Sequence, residues 1–404
     1  MTTFPPPSNI VPRESYLKKV EPFINKPLAK VFTGQRRVGK SFLLFQIMQR
    51  IRTEYPDANI IYINKEDIAF DNIISATDLY QYVEKESSET RKNYIFIDEI
   101  QEIEHFEKAV RSLLLNENND VYITGSNARL LSGELATFLA GRTIEIKVYS
   151  LSYSEFLTFH TLQDSDKSLT SYFKYGGLPY LKNLTLTDEI VFEYLQNIYN
   201  TIVFRDVVAR FKVRNINFLE RLIQFLADNT GSLFSAKRIS DFLKSQQINI
   251  AHNQVQTYID YLSNAFLVHK VQRYDLKGKR LFETGEKYYF ENTGLRNVIG
   301  GYKPGDKAKL LENIVYNQLL FKGYDVKTGW INTEEIDFVA TKNNETQYIQ
   351  VALQIDNEKT FKREFGNLLK IKDNFPKTVI TLQSGTRNSY QGIPMISLRK
   401  FLLI

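Results

Sequence analysis

Five short apolar runs alternate with helix-like segments between residues 27 and 150, and this alternation limits the fold more than any other feature of the chain. The intervening segments SFLLFQIMQRI, ATDLYQYVEK, HFEKAVRSLLL and LLSGELATFLA space their apolar residues three and four apart, as helices that pack on a sheet do. The five runs are AKVFTG ending at Gly34, NIIYIN at 59–64, NYIFID ending at Asp98, DVYITGS ending at Ser126 and TIEIKVYS at 143–150. Because crossover helices join parallel strands, the sequence predicts a five-stranded, mostly parallel α/β domain.

A glycine-rich segment connects the first strand to the first helix. Its sequence GQRRVGKS, from Gly34 to Ser41, matches the pattern G-x-x-x-x-G-K-[ST] in the strand-to-helix context that the pattern requires. Glycines let backbone N–H groups face phosphate oxygens, and the helix N-terminus favours the same charge. We predict that the loop binds ATP, with Lys40 bridging the β- and γ-phosphates and Ser41 contacting Mg²⁺.

The predicted nucleotide contacts extend from the strand end into the first helical turn. They comprise Gly34, Gln35, Arg36, Arg37, Val38, Gly39, Lys40, Ser41 and Phe42. The competing interpretation of this segment is a glycine-rich turn that carries a surface lysine.

Two adjacent acidic residues lie at the end of the third apolar run. Asp98 is the last residue of the run YIFID, and Glu99 follows it. An uncompensated buried carboxylate is costly, so an acid at a strand end beside a phosphate loop implies a cation. We expect Asp98 to hold Mg²⁺ and Glu99 to activate the water that attacks the γ-phosphate. In the alternative interpretation the two acids begin a loop or cap the next helix.

Polar residues also follow the fourth strand and precede the fifth. Ser126 and Asn127, in TGSN, are expected at the sheet edge between the phosphate strand and the acidic strand, within reach of the γ-phosphate or the attacking water. Arg142, in LAGRT, is expected to stabilise charge on the phosphate of a neighbouring subunit. An Asx-turn at Asn127 and an exposed arginine without a role are the alternatives.

These segments resemble the AAA-plus ATPases, specifically the bacterial and archaeal ones with a C-terminal domain of uncharacterised function. The resemblance rests on RESYLKKVEPFINKPLAKVFTGQRRVGKSFLL, IFIDEIQEI, VYITGSNARLLSGELATFLAGRT and later blocks such as YFKYGGLPYL and YNTIVFRDVVARFKVRN. It implies a P-loop NTPase sheet ordered 5-1-4-3-2, with Asn127 as a sensor and Arg142 as an arginine finger. In the block YYFENTGLRNVI, Asn292 stands where the resemblance implies an aspartate.

The alternation stops after Ser150, and we predict four domains. They are an ATP-binding domain at 1–150, a helical lid or linker at 151–214, a winged helix at 215–300 and a small α/β domain at 301–404. The winged helix is inferred from three helical segments followed by two strands.

The predicted winged helix offers a basic wing but a poor base-reading helix. Its recognition segment HNQVQTYIDYLSNAFL has no Lys or Arg, whereas the wing carries Lys270, Arg273, Lys277, Lys279, Arg280 and Lys287. Such a wing can contact DNA phosphates without sequence preference. Winged helices also serve as packing or protein-contact modules, so a protein partner or a homo-oligomer stays open.

The last domain resembles the restriction-endonuclease-like fold. Glu312 and Asp337 match its first two acids, but Gln350, Val351 and Ala352 stand where the fold's nucleases have E-x-K. One metal-binding carboxylate and the charge-stabilising lysine are therefore absent at that position, and nuclease activity is not expected.

Composition adds bounds but no function. The net charge of +6 is compatible with nucleic acid without requiring it, and the absence of cysteine excludes disulfides and thiolate metal sites. With no apolar run of membrane-spanning length and no targeting segment, a cytoplasmic location and no membrane partner are expected.

Two functional interpretations follow. In the first, the protein hydrolyses ATP with Mg²⁺ and the nucleotide state reorients a C-terminal half that contacts DNA or protein. In the second, it is a regulatory or scaffolding protein that binds ATP or ADP as a switch and hydrolyses it little.

Overall fold

The protein is described by a computed structural model that covers residues 10–128, 139, 141–245, 247, 250–278, 280–355, 358–383 and 388–404. Contacts between residues divide the chain into two units. The first unit comprises Met1–Val148 and Asn264–Phe266, and the second comprises Tyr149–Ser263 and Leu267–Ile404.

The first unit is built around a parallel sheet of five strands. Its helices are α1 (Glu14–Val20), α2 (Lys40–Glu54), α3 (Ala76–Glu86) and α4 (Phe106–Leu113). Its strands are β1 (Ala29–Thr33), β2 (Asn59–Asn64), β3 (Asn93–Asp98), β4 (Asn119–Gly125) and β5 (Thr143–Lys147), in the order β2-β3-β4-β1-β5. Every pairing in this sheet is parallel, so the predicted order 5-1-4-3-2 is confirmed. The helix predicted at 130–140 lies, apart from Leu139, outside the described residues.

The three central strands of this sheet are buried along their whole length. Every residue of β1, β3 and β4 is buried. Helices that cover both faces of a parallel sheet remove the alternation of polar and apolar residues along each strand. This burial explains why the sequence shows nearly continuous apolar runs here.

A buried ion pair connects the amino ends of β1 and β4. The Lys30 ammonium contacts the Asp120 carboxylate, and both side chains are fully buried. Asp120 also accepts hydrogen bonds from the Tyr122 hydroxyl at 2.7 Å and from the Asn25 backbone N–H at 2.8 Å. The pair therefore ties the chain that enters β1 to the neighbouring strand.

The second unit begins with helices. These are α5 (Tyr153–Phe159), α6 (Asp166–Tyr175), α7 (Asp188–Thr201), a π-helix (Ile202–Ala209), α8 (Ile216–Asp228), α9 (Ala236–Ser245) and α10 (His252–Asn264). Strands and helices then alternate through β6 (Val268–Asp275), β7 (Arg280–Phe290), α11 (Thr293–Gly300), α12 (Lys307–Phe321), β8 (Asp325–Ile331), β9 (Glu334–Lys342) and β10 (Glu345–Ala352). The unit ends with α13 (Glu358–Leu369), β11 (Lys377–Thr381), β12 (Ser389–Tyr390), β13 (Ile393–Ser397) and α14 (Leu398–Leu403).

The strands of the second unit form one mixed sheet in the order β12-β13-β11-β10-β9-β8-β6-β7. Strand β6 pairs with β7 in antiparallel and with β8 in parallel orientation. These hydrogen bonds join strands that the sequence analysis assigned to two different domains. The strands of the predicted wing are therefore part of a larger sheet, in which β7 is an edge strand.

The buried ion pair predicts how the first unit responds to loss of one charge. Lys30→Met should lower the free energy of unfolding by about 3–5 kcal/mol, because Asp120 is left as an uncompensated buried charge. Lys30→Met combined with Asp120→Leu should recover only part of this loss, because the buried donors that bond to Asp120 then lose their acceptor. Thermal or denaturant unfolding measures both variants. The control is Arg50→Met, which breaks the surface pairs with Glu21 and Glu54 and should cost no more than about 1 kcal/mol per pair. An equal loss of stability in Lys30→Met and Arg50→Met would contradict the prediction.

Candidate nucleotide site

Glycine is required at both ends of the loop that joins β1 to α2. A Cβ atom at Gly34 would lie 2.1 Å from the Val148 carbonyl oxygen, closer than any side chain can approach. Gly39 has φ of 95°, a left-handed conformation that residues with a Cβ rarely adopt. The two glycines of the motif therefore have separate tasks, one in close packing and the other in the turn that starts α2.

Lys40 begins α2 and folds back over the loop. Its ammonium donates to the Gly34 and Gln35 carbonyl oxygens, at 3.0 Å each, and the residue is 4% exposed. Gly39 is the N-cap residue of α2 and has no side chain that could accept a hydrogen bond from the first turn of the helix. The loop thus combines a held ammonium with a helix N-terminus, both of which favour an anion.

Asp98 lies at the end of β3 and is 2% exposed. Its carboxylate accepts hydrogen bonds from the Thr124 hydroxyl, from the Ser41 hydroxyl and, at 3.3 Å, from the Tyr62 hydroxyl. Ser41 belongs to the first turn of α2 and Thr124 to the end of β4. The two residues predicted to hold Mg²⁺, Ser41 and Asp98, are therefore in contact.

Glu99 lies directly beside this pair in an unusual backbone conformation. Its φ is 55°, in the left-handed region, and its N–H donates to the Thr124 hydroxyl at 2.9 Å. A carboxylate oxygen, Oε1, lies 3.9 Å from Lys40 Nζ, and the other oxygen accepts a hydrogen bond from Gln101. A left-handed backbone at a residue with a side chain costs about 1–3 kcal/mol, and the hydrogen bond from the Glu99 N–H to Thr124 helps to hold it.

The two neighbouring carboxyl groups differ in acidity. Burial raises the pKa of Asp98 above its usual value, although hydrogen bonds from Ser41 and Thr124 oppose the shift. Burial also acts on Glu99, but the positive charges of Lys40 and Arg36 outweigh it and hold the pKa of Glu99 below its usual value. The surroundings of Glu99 therefore favour its ionised form, whereas the buried charge of Asp98 would be stabilised by a cation bound beside it.

The donors at this site fit a hard divalent cation. Mg²⁺ prefers oxygen ligands, and a serine hydroxyl that already contacts a buried carboxylate offers two of them. The raised pKa of Asp98 shows that its negative charge lacks full compensation within the protein. Ser41 and Asp98 are therefore the residues that would hold Mg²⁺, which when bound neutralises charge on the phosphates.

The remaining predicted residues near the loop occupy different environments. Ser126 is buried and lies 3.4 Å from the Gln101 amide, while Asn127 follows β4 and is half-buried. Arg36 donates to Glu66 at 3.0 Å, and Arg37 is exposed with φ of 69°. Of the remaining members of the segment, Val38 is buried and Phe42 is 47% exposed.

Arg142 lies at the amino ends of the strands, opposite the end that carries the phosphate loop. Its carbonyl accepts a hydrogen bond from the Ala29 N–H at 2.9 Å, at the start of β1, whereas the phosphate loop follows the end of that strand. A strand of five residues separates the two edges by roughly 13 Å at about 3.3 Å per residue. The Arg142 side chain is therefore not part of the cluster around Lys40.

Three residues of the cluster were not identified from the sequence. Thr124 bridges Asp98 and the Glu99 backbone, Tyr62 contacts Asp98, and Gln101 contacts both Glu99 and Ser126. Thr124 could have been found from the sheet order, because β4 neighbours β3 and ends at the same edge. Tyr62 and Gln101 carry no comparable signal.

The basic residues predicted to form a DNA-contacting wing are largely engaged within the second unit. Lys270 pairs with Glu286 at 2.9 Å, and the Arg273 guanidinium stacks 4.1 Å from the Trp330 ring centroid. The prediction that Lys287 contacts phosphate is wrong, because its side chain is buried among carboxylates. Lys277 is exposed, while Lys279 and the side chain of Arg280 lie outside the described part of the chain.

The sheet order, the glycine loop, the lysine held over it and the adjoining acidic strand end define a P-loop protein of the class that binds nucleoside triphosphates. Comparison with known proteins agrees. Residues 26–157 match the family described as an AAA domain, and residues 166–305 match a domain of unknown function, DUF8612.

Two relatives extend this likeness over most of the chain. An uncharacterized protein of Haemophilus influenzae is 40% identical over 98% of this chain and 99% of its own length. An uncharacterized protein of Methanocaldococcus jannaschii, MJ1544, is 31% identical over 79% of this chain and 71% of its own. The chain therefore belongs to a family of P-loop proteins with an AAA domain.

Among solved structures, the Walker-type ATPase PABY2304 of Pyrococcus abyssi is similar at 16% identity. The match covers 72% of this chain and 96% of that one, with a TM-score of 0.49. A likeness of this size has no bearing on activity.

Among the helices that the structure describes, none combines the length and the apolar composition of a membrane-spanning segment.

The raised pKa of Asp98 predicts a pH-dependent gain in stability when its charge is removed. In nucleotide-free protein, wild type should lose stability as pH rises from the usual aspartate value through the raised one, because the folded state binds the proton more tightly. Asp98→Asn lacks this loss, so its advantage in thermal midpoint should grow with pH.

The matched control is Asp78→Asn, because the pKa of Asp78 is lowered by its hydrogen bonds to Ser75 at the start of α3. Wild type should then be the more stable protein above the usual aspartate pKa, and its advantage should shrink as pH falls. If the difference in thermal midpoint from wild type changed with pH in the same way for Asp98→Asn and Asp78→Asn, the environment assigned to Asp98 would be ruled out.

Proposed function

We propose that this protein binds ATP with Mg²⁺ and hydrolyses it. The observation that carries the proposal is the convergence of three groups at one sheet edge, namely the Lys40 ammonium, the Ser41–Asp98 pair and the Glu99 carboxylate. Each is of the type that phosphoryl transfer to water uses: a cation for the phosphates, oxygen ligands for Mg²⁺ and a base beside them.

The loop residues bind and orient the phosphates in this proposal. Backbone N–H groups of 34–39 and of the α2 N-terminus donate to phosphate oxygens, as the two glycines allow. Lys40 moves its ammonium from the Gly34 and Gln35 carbonyls to the β- and γ-phosphate oxygens. The lysine is thus held near its working position before nucleotide binds, which limits the entropy lost on binding.

Glu99 orients the attacking water and accepts its proton. Its carboxylate favours the ionised form, since Lys40 and Arg36 hold its pKa below the usual value, and an ionised carboxylate can accept a hydrogen bond from the water. Gln101 and the Thr124 hydroxyl fix the side chain and the backbone of Glu99. Asn127, which follows β4 at the same edge, acts as a sensor that contacts the γ-phosphate or the water.

Arg142 acts in trans in this proposal. Its position at the opposite edge of the sheet leaves its own phosphate loop out of reach, so a guanidinium that stabilises the transferring phosphate comes from a neighbouring copy of the chain. The active form is then a homo-oligomer in which each site is completed by the next subunit.

In this proposal the second unit contacts the partner, and that contact changes with the nucleotide that the first unit binds. With Lys270 and Arg273 engaged and Lys287 buried, the wing offers fewer cations to DNA phosphates than its sequence indicates. We therefore favour a protein partner over non-specific DNA. Turnover that rises when duplex DNA is added, and falls back as salt is raised, would reverse this preference.

Two substitutions separate binding from hydrolysis. Lys40→Ala should weaken ATP binding about 10- to 100-fold in calorimetry, through loss of a hydrogen-bonded charge. Glu99→Gln should keep the affinity and lower kcat by about 10²–10⁴-fold, because the proton acceptor is lost. Glu104→Gln, a change of the same kind at an exposed position, is the control and should change neither.

The outcomes distinguish the two interpretations of the chain. Normal binding with negligible turnover in wild type would indicate a nucleotide-dependent switch or scaffold, and full turnover in Glu99→Gln would remove Glu99 as the base. Failure of the folded wild type to bind ATP or ADP would overturn the proposal as a whole.

A complementation experiment tests the action of Arg142 in trans. Arg142→Ala should lower kcat by about 10³-fold or more, as loss of an arginine finger does. Mixing this variant with Glu99→Gln should restore part of the activity, because some interfaces then combine an intact Glu99 with an intact Arg142. Unchanged kcat in Arg142→Ala, or a mixture as inactive as its components, would exclude the role.

A further inference from the structure

A buried lysine stands at the centre of three carboxylates in the second unit. The Lys287 ammonium lies 2.6 Å from Glu335 Oε1, 2.7 Å from Glu312 Oε1 and 3.9 Å from Asp337 Oδ1. Lys287 is 2% exposed. A buried ammonium with this many acidic neighbours acts as a central cation and not as a solvent-facing charge.

Three elements of the fold bring these groups together. Glu312 comes from α12, while Glu335 and Asp337 are two residues apart on β9. Lys287 comes from β7, where Tyr289, two positions further, donates its hydroxyl proton to Glu312. Lys287 and Tyr289 are thus on the same face of β7, and both contact the carboxylate of the helix.

Asp337 is fixed from the side of β10. Its Oδ2 accepts a hydrogen bond from the Val351 N–H at 2.7 Å, and its own N–H donates to Gln350 Oε1 at 3.4 Å. Gln350 therefore places a neutral amide oxygen beside the cluster, at the position where the sequence lacks the third metal-binding acid. Glu312 is closely covered on another side, since a Cβ atom at Gly231 would lie 3.4 Å from its carboxylate.

The charges in the cluster are strongly coupled. Burial alone would lower the pKa of Lys287, but Glu312, Asp337 and Glu335 together raise it above the usual lysine value. Burial, followed by the charge of Glu312, raises the pKa of Asp337 well above its usual value. The ammonium is therefore retained, and without it the carboxylates would repel one another in a buried space.

A lysine ammonium and a divalent metal ion cannot occupy the same position between the same oxygens. Carboxylates from a helix and a neighbouring strand are the ligand type that Mg²⁺ and Mn²⁺ prefer. With the ammonium in place, these three acids do not form a metal site, and neither does any other group of three or more acidic or histidine side chains in the described parts of the chain. The centre of this cluster is already filled by the side chain of Lys287.

We propose that the Lys287 ammonium is a tethered cation that takes the place of a divalent metal ion between Glu312, Glu335 and Asp337. The cluster is then a permanent junction between β7, α12 and β9 that needs no metal. It also fills the position that a metal ion would need in order to support phosphodiester cleavage by this unit, independently of what the nucleotide site does.

Removal of the ammonium tests the proposal, because the three acidic groups must then either bind another cation or take up protons. Nucleotide-free Lys287→Ala should bind one more Mn²⁺ per chain than wild type when bound Mn²⁺ is counted by electron paramagnetic resonance. Mn²⁺ should also raise the thermal midpoint of the variant by several degrees more than that of wild type. Any Mn²⁺ at the ATP site is common to both proteins and cancels in the difference.

Two further variants control the experiment. Lys327→Ala removes a surface lysine paired with Asp325 and should bind the same amount of Mn²⁺ as wild type. Lys287→Ala combined with Glu312→Gln and Asp337→Asn removes the ligands, and should fold without Mn²⁺ and lose the additional ion.

The possible outcomes decide the matter in either direction. If Lys287→Ala folds only when Mn²⁺ is present, the ion has replaced the ammonium as proposed. Equal Mn²⁺ counts in Lys287→Ala and wild type would overturn the proposal. The proposal would also be overturned if Lys287→Ala is unfolded and Mn²⁺ does not restore its fold, while the triple variant folds. Mn²⁺-dependent cleavage of DNA by wild type that Asp337→Asn abolishes would overturn it as well.

Discussion

The carboxyl ends of β1, β3 and β4 meet at one edge of the first sheet, and the nucleotide site depends on this constraint. Parallel strands end together, so the glycine loop after β1, the acids at the end of β3 and Thr124 at the end of β4 become neighbours. The three strands are buried on both faces, which leaves their ends as the positions where polar side chains can gather.

Within this site the protein keeps one carboxyl group at a cost in stability. Burial disfavours the charge on Asp98, yet a serine, a threonine and a tyrosine hydroxyl hold the group where an incoming cation would be bound. Glu99 has a left-handed backbone that its neighbours must maintain. Such unfavourable features are typical of sites that are organised for a ligand before it binds.

The two units use buried lysines in different ways. Lys40 lies over a glycine loop, bonded to backbone carbonyls and 3.9 Å from the nearest Glu99 oxygen, so an anion can compete for it. Lys287 is in direct contact with two carboxylates and near a third. The first arrangement leaves the ammonium available to a ligand, whereas the second satisfies it within the protein. Similar residue types thus give a binding site in one unit and a structural junction in the other.

The sequence by itself determined the parts of this protein that depend on neighbours along the chain. The GQRRVGKS segment, the positions of the five parallel strands and the acids after β3 follow from local patterns, and the family resemblance supplied the sheet order. The tertiary structure alone decided that Thr124 joins Asp98 to Glu99 and that β6 and β7 belong to the larger sheet. It also decided that Lys287, which has the appearance of a surface cation in the sequence, is buried among acids from α12 and β9. The physical reason is that periodicity and motif spacing report local backbone geometry, whereas the pairing of distant charges depends on which strands and helices pack together.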